Sequence, residues 1–169
     1  MLTVVIETRN DEEALARTLA SLVGGSVEGI VREVMVLDRG STDHTTLVAD
    51  HAGCHLIAEG DLHVALRRAK GDWLLMLEPG ARLLDGWTEA VLHHMTDLTT
   101  PARFSKSRIG RPPFLARLFK AARPLADGLL ITKRQAVARV QAGAVLGAVG
   151  RGVPTKRLAA EIIPSTKRS

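Results

Sequence analysis

The sequence predicts an α/β fold of three layers, with helices on both faces of a mostly parallel sheet. Three observations predict it. Short aliphatic or β-branched runs recur at residues 3–7, 33–38, 54–58 and 72–78. Segments with apolar residues at helical spacing lie between them. Glycine or Pro-Gly punctuation closes most of these segments. Alternating strands and helices make βαβ units, whose crossovers set parallel strands side by side.

Each element has its own local signal. Thr3-Val4-Val5-Ile6-Glu7 reads as a buried strand. Asn10, with Glu13 three residues on, has the form of a capping box. Leu15, Leu19 and Leu22 then mark a helix, which Gly24-Gly25 is expected to end. Residues 33–38 form the second strand, and Arg39-Gly40-Ser41-Thr42-Asp43 turns into a helix that stops at Gly53. A third strand covers 54–58, and a helix through Leu62, Leu66 and Ala69 closes at Gly71. The fourth strand, 72–78, is the most apolar and breaks at Pro79-Gly80. Asp85 is placed to cap a helix through Trp87, Val91 and Met95. Residues 99–113 read as a loop, and Phe114 to Arg123 as a helix with an apolar stripe. A fifth strand at 127–132 precedes a helix to about Val140. Residues 142–153 carry no assignable pattern, and 158–163 read as a last strand.

Composition bounds the class. A chain of 169 residues with 46% hydrophobic and 24% charged residues builds one ordered domain. It is expected over 1–164, as a first half of 1–98 and a basic half of 99–164, with 165–169 a flexible tail. One cysteine, Cys54, excludes an internal disulfide and a cysteine zinc cluster. No apolar run reaches the roughly 18 residues of a membrane span. No secretory leader is evident, so a cytoplasmic protein is expected. The net charge of +5 is unevenly spread: residues 1–97 hold 16 acids and 8 bases, and residues 98–169 hold 2 acids and 15 bases. A basic half points to an anionic partner, or else to a solvated basic face.

In parallel sheets ligands gather at the carboxyl ends of the strands, which singles out 7–10, 38–43 and 78–82. These segments carry a resemblance. Val4-Val5-Ile6-Glu7-Thr8-Arg9-Asn10-Asp11-Glu12 is similar to an apolar strand followed by Pro-Thr-Tyr-Asn-Glu. Val36-Leu37-Asp38-Arg39-Gly40-Ser41-Thr42-Asp43-His44-Thr45 nearly completes Val-Val-Asp-x-Gly-Ser-Thr-Asp-x-Thr. Ala69-Lys70-Gly71-Asp72-Trp73-Leu74-Leu75-Met76-Leu77 resembles Ala-x-Gly-Asp-Trp-Leu-Leu-Phe-Leu. Together they resemble family 2 glycosyltransferases, of GT-A nucleotide-sugar fold, over about residues 2–98.

The resemblance implies transfer of a sugar from a nucleoside diphosphate sugar, of UDP type, with inversion at the anomeric carbon. It places Thr8, Asn10, Asp38, Gly40 and Ser41 around the nucleotide. A strand-end carboxylate such as Asp38 can accept a base imide N–H, although a turn acid that only caps has the same sequence signature. Glycine at 40 lets a ligand approach the backbone closely. Glu78 and Arg82 fall near the diphosphate.

Two departures bear on the chemistry. The family's metal-holding Asp-x-Asp reads Glu78-Pro79-Gly80 here, so one carboxylate remains. Mg or Mn held by Glu78 alone makes a weak site. No Glu-Asp pair stands ready as the acceptor base, and no catalytic residue is assignable; after Ile131 the only acid is Glu161. Two readings follow. In one the enzyme dispenses with metal and meets the diphosphate with cations such as Arg82, Lys106, Arg108 or Arg111. In the other the chain is an inactive relative, a nucleotide-binding or membrane-surface module.

The further partners left open are an anionic membrane surface, met through the basic stretch from Arg103 to Arg123, and a second copy of the chain. Such a surface would make the protein peripheral at the inner membrane face. Nucleic acid is not expected, since aromatic residues total 3% and stacking platforms are scarce. No G-x-G-x-x-G follows the first strand, which argues against a dinucleotide enzyme. His51, Cys54 and His55 are close in sequence but straddle a helix end and a strand start, a poor metal arrangement. His93 and His94 are adjacent and face apart on a helix.

Overall fold

A computed structural model of the chain describes residues 1–58, 62–107, 109, 123–141 and 143–166. In chain order these form β1 (Leu2–Thr8), α1 (Glu12–Val27), β2 (Val31–Asp38), α2 (Thr45–His51), β3 (His55–Ala58), α3 (Leu62–Arg68) and β4 (Trp73–Leu77). There follow β5 (Arg82–Leu83), α4 (Trp87–Asp97), β6 (Ala102–Lys106), β7 (Leu129–Thr132), α5 (Lys133–Arg139), α6 (Leu146–Val149) and β8 (Lys156–Ile163).

The strands make one sheet of eight in the order β3-β2-β1-β4-β7-β6-β8-β5. β3, β2, β1 and β4 are all parallel, as the βαβ pattern requires. β7 then runs antiparallel to β4, β6 antiparallel to β7, and β8 parallel to β6. Four of the seven pairings are parallel. The sheet is therefore mixed, with its antiparallel pairs confined to the edge beyond β4.

Strand side chains alternate between faces, so each apolar strand feeds two cores. Val4, Ile6, Val36, Leu75 and Leu77 pack on one face with Leu15 and Leu22 of α1 and Trp87 and Val91 of α4. Val5, Leu37, Leu74 and Met76 pack on the other with Leu62 and Leu66 of α3, Ala136 of α5 and Val149 of α6. Helices cover both faces, the three-layer arrangement expected. Strands buried on both sides read as continuous apolar runs rather than alternating ones.

Several local expectations change. Asn10 does not cap α1: its φ is 54°, the cap position is Asp11, and no side-chain cap bond forms there. Gly24-Gly25 does not end α1, which continues to Val27; Gly29 (φ 74°) makes the turn beyond it. Gly25 instead serves packing, since a Cβ there would lie 2.5 Å from the Trp87 ring. Gly86, not Asp85, is the cap residue of α4 (φ 81°). The loop expected at 99–113 contains β6, whose Ala102 and Phe104 are fully buried. Mixed polarity hid this strand, because Arg103, Ser105 and Lys106 take its remaining positions. The unassigned stretch 142–153 contains α6, a single turn without capping signals. A real capping box opens α5, where Thr132 and Gln135 exchange side-chain and backbone bonds. His94 is buried with Nε2 2.7 Å from the Thr100 carbonyl, while His93 is exposed, so the two do face apart.

Cations stitch the second half to the sheet. The half-buried Arg103 donates to the carbonyls of Pro124, Gly128 (3.2 Å) and Gly150 (2.9 Å). Arg157 and Lys106 flank Asp127 at 3.0 and 3.2 Å. Of the basic stretch proposed for a membrane surface, Arg103 and Arg123 are both bonded internally, and residues 110–122, with Arg108, lie outside the described residues. No helix among the described residues is long and apolar enough to cross a membrane.

Gly25→Ala is expected to destabilise the fold by about 1–3 kcal/mol, because the new methyl overpacks against Trp87. Gly24→Ala meets nothing within 4 Å and is expected to stabilise by about 0.5–1 kcal/mol through lower chain entropy. Urea melts of the two variants check the contrast. Burial pushes the Cys54 thiol up to about 11. Alkylation at pH 8 is therefore expected to run about 100-fold slower in the folded chain than in denaturant, as timed by mass spectrometry.

Candidate functional site

The register of the central strands sets the site. Thr8 at the end of β1 lies beside Asp38 at the end of β2, and Ile6 pairs with Leu77 at the end of β4. Three carboxyl ends thus finish at nearly one level, and the loops leaving them converge.

The first two loops are sewn together by polar bonds. Asp38 is 5% exposed. Its Oδ2 accepts from the Ser41 amide at 3.0 Å, and its Oδ1 accepts from the Ser41 hydroxyl and, at 3.5 Å, from the Thr8 hydroxyl. The Asn10 amide donates to Ser41 Oγ at 2.9 Å. In return the Thr42 amide donates to Asn10 Oδ1 at 2.7 Å. Gly40 holds φ 77°, a region that favours glycine, and no atom lies within 4 Å of where its Cβ would stand. The expected nucleotide residues Thr8, Asn10, Asp38, Gly40 and Ser41 are therefore one cluster. Its polar atoms face each other across two loops, with open space over the glycine.

Asp43 ties the loops to both following helices. Its Oδ1 accepts from the Thr45 amide at 3.0 Å and its Oδ2 from the Glu12 amide at 3.3 Å. Glu12 opens α1 and Thr45 opens α2, so one carboxylate meets two helix N-termini. The hydrogen bond from the Thr45 hydroxyl, followed by these amides, holds Asp43 below the usual carboxylate range. A surface cavity of about 380 Å³ opens beside this junction, with Asn10, Asp43, Gly80, Ser165 and Thr166 in its wall.

A departure from the family form meets a residue at the motif's variable position. Glu7 stands where proline is usual, and its Oε1 lies 2.6 Å from Arg39 Nε. Its Oε2 accepts from the Leu146 amide at the start of α6, and Arg39 also reaches the Ala144 carbonyl at 3.3 Å. Glu7 precedes Thr8 and Arg39 follows Asp38, and the pairing of those two strand ends brings them together.

The third loop carries Glu78, one residue past β4. Glu78 is half-buried and accepts from Arg123 Nη2, while Arg123 Nη1 donates to the Ser165 carbonyl at 2.9 Å. Burial pushes the Glu78 carboxyl up; Arg123 pulls it back down, and Asp127 adds a further upward push. Nothing local in the sequence links positions 78 and 123. Arg82, expected near the diphosphate, is exposed on β5, which pairs with β8; the guanidinium that meets Glu78 is Arg123. Lys106 pairs with Asp127 instead, and Arg108 and Arg111 lie outside the described residues.

A metal fits this loop poorly. Gly80 occupies the second position of the metal motif at φ 92°, and a Cβ there would lie 2.8 Å from Ser165 Oγ. Its amide is pinned by Thr18 Oγ1 at 2.8 Å and by the Ala14 carbonyl at 3.0 Å. Glu78, the one carboxylate left, is already paired with a guanidinium. Among the described residues, no group of three or more His, Cys, Asp or Glu side chains is placed to hold a metal.

Comparison with known proteins agrees with this architecture. The family model described as Glycosyl transferase family 2 matches residues 3–103. A TPR repeat-containing protein of Synechococcus elongatus is 33% identical over 126 residues, which cover 66% of this chain and 30% of that relative's length. Glucosyl-3-phosphoglycerate synthase from Mycobacterium tuberculosis, solved with Mn²⁺, UDP and glucosyl-3-phosphoglycerate, superposes with a TM-score of 0.64 at 15% identity, covering 99% of this chain and 73% of that one. Mannosyl-3-phosphoglycerate synthase from Rubrobacter xylanophilus gives 0.65 at 16% identity, covering 99% and 68%. The fold is that of the GT-A glycosyltransferases. With the matched span running from β1 into β6 and taking in all three strand-end loops, this chain belongs to glycosyl transferase family 2.

Proposed function

We propose that the chain binds a nucleoside diphosphate sugar, of UDP type, at the carboxyl ends of β1, β2 and β4 and passes the sugar to an acceptor hydroxyl. In such a transfer the acceptor oxygen bonds to the anomeric carbon as the bond to the diphosphate breaks. The electron pair leaves on the nucleoside diphosphate, and the acceptor proton goes to a base. The observation that carries this reading is the Thr8–Asn10–Asp38–Ser41 cluster with open space over Gly40. A buried carboxylate at a strand end offers lone pairs to a base imide, and exposed loop backbone at a glycine offers room for the ribose. Two solved proteins of the same fold are a glucosyl-3-phosphoglycerate synthase and a mannosyl-3-phosphoglycerate synthase, the first solved with UDP and Mn²⁺, which supports a nucleotide-sugar donor. In this reading Glu78 and Arg82 belong near the diphosphate, and no metal is required.

A second reading, nucleotide binding without transfer, draws on the acceptor side. Asp127 and Glu161 are the only acids after residue 97. Asp127 is 8% exposed and ion-paired to Lys106 and Arg157, a poor state for a general base. Nucleotide binding with no sugar released or transferred from any bound donor is the result that favours it.

Calorimetry with UDP, GDP, CDP and ADP tests the pocket, and binding of one nucleotide is the expected outcome. Asp38→Asn is expected to weaken that binding about tenfold, the worth of one charged hydrogen bond. Ser41→Ala removes a loop bond to the same carboxylate but keeps the carboxylate, and is expected to cost less. A change below twofold in Asp38→Asn removes Asp38 from the pocket.

A further inference from the structure

Glu78 occupies the place of the first metal-motif carboxylate, and the fold has set a cation of its own against it. The Arg123 guanidinium donates to Glu78 Oε2 through one nitrogen and to the Ser165 carbonyl, 2.9 Å away, through another. Both contacts fix its plane. Its Nε is buried and has no hydrogen-bond acceptor among the described residues. About a quarter of the side chain is exposed (23%). A guanidinium stays charged at every physiological pH and presents its donors in a fixed fork that matches phosphate oxygens.

The same neighbourhood closes the alternative. Mg²⁺ or Mn²⁺ needs several hard oxygen ligands. Gly80 cannot supply a second carboxylate, because its backbone is left-handed and Ser165 Oγ fills the space a side chain would need. A divalent ion at Glu78 would also have to displace Arg123 and then lie beside its positive charge. Three other cations of the basic half are engaged elsewhere: Lys106 and Arg157 face Asp127, and Arg103 is spent on three carbonyls.

We propose that Arg123 takes the place of the divalent ion: it holds the donor's diphosphate, Glu78 positions it, and nucleoside diphosphate binding needs no metal. This rests on the donor-site reading above. The positive charge demanded by a departing diphosphate then comes from a side chain fixed by the fold, at no cost of recruiting an ion. Arg123 then joins the exposed Arg82 as a phosphate-side cation, and is the one that Glu78 holds in place.

The test is calorimetric titration of UDP, GDP, CDP and ADP into the full chain, in EDTA and again in Mn²⁺, with circular dichroism to confirm folding. The nucleotide that binds is expected to do so with the same Kd, within about twofold, in both buffers. Arg123→Gln is expected to weaken it about tenfold, while the matching nucleoside, lacking phosphates, binds as before. Glu78→Gln frees the guanidinium and removes a repelling carboxylate, so the nucleotide should bind as tightly or more tightly. A metal site would lose affinity in that variant. If Arg123→Gln does not fold, the EDTA comparison and Glu78→Gln decide alone. Binding that appears only with Mn²⁺, or that falls in Glu78→Gln, or that is untouched in a folded Arg123→Gln, overturns the assignment while leaving the donor site standing. No binding of any nucleotide to the folded chain removes the donor-site reading itself, and the role of Arg123 with it.

Discussion

Burial of β1 on both faces is the constraint from which the rest of the structure follows. Leu2, Val4, Val5 and Ile6 are each fully buried, and the strand is bonded on both edges, to β2 and β4. A parallel strand in that position leaves no polar face and no open ladder. Its register is fixed, because a slip by one residue would exchange the two cores. Fixing β1 against both neighbours aligns three carboxyl ends, and with them Thr8, Asp38 and Glu78. Function in this fold depends on side chains that stand just beyond the buried stretch.

The loops beyond the strands are ordered by carboxylates with two duties each. Asp38 holds the Ser41 turn, and Asp43 meets the first turns of α1 and α2. Glu7 holds Arg39 and the start of α6. Such groups face unsatisfied amides at helix starts and turns, where a carboxylate is favoured and short side chains reach best. The atoms proposed to meet a nucleotide are thus already part of the scaffold. That preorganises the cluster, since little has to be ordered when a ligand arrives.

The basic second half has an internal use. Arg103 and Arg157 spend their guanidinium groups on carbonyls and carboxylates of segments that lie far from each other in sequence. Each fork satisfies several acceptors at once, which short loops cannot do with backbone alone. A charge excess read from composition therefore overstates the charge available to a partner. Part of it is structural wiring around the sheet edge formed by β6, β7 and β8.

The sequence by itself determined the parallel half of the fold. Strands β1, β2, β3 and β4 and helices α1 to α4 follow from apolar runs and local spacing, and the cluster at Thr8, Asn10, Asp38, Gly40 and Ser41 follows from motifs set in those elements. These are short-range signals, in which each residue's neighbours in space are nearly its neighbours in sequence. Only the tertiary structure decided the rest. β6 escaped notice because Arg103 and Lys106 break its apolar pattern while its buried face needs only Ala102 and Phe104. Gly25 was read as a stop because the ring it accommodates, Trp87, is remote in sequence. Arg123 meets Glu78 across 45 positions, and no periodicity, capping rule or motif reports a contact of that range. Local propensity is written residue by residue, whereas the pairing of distant charges is set by how the sheet folds its edges together.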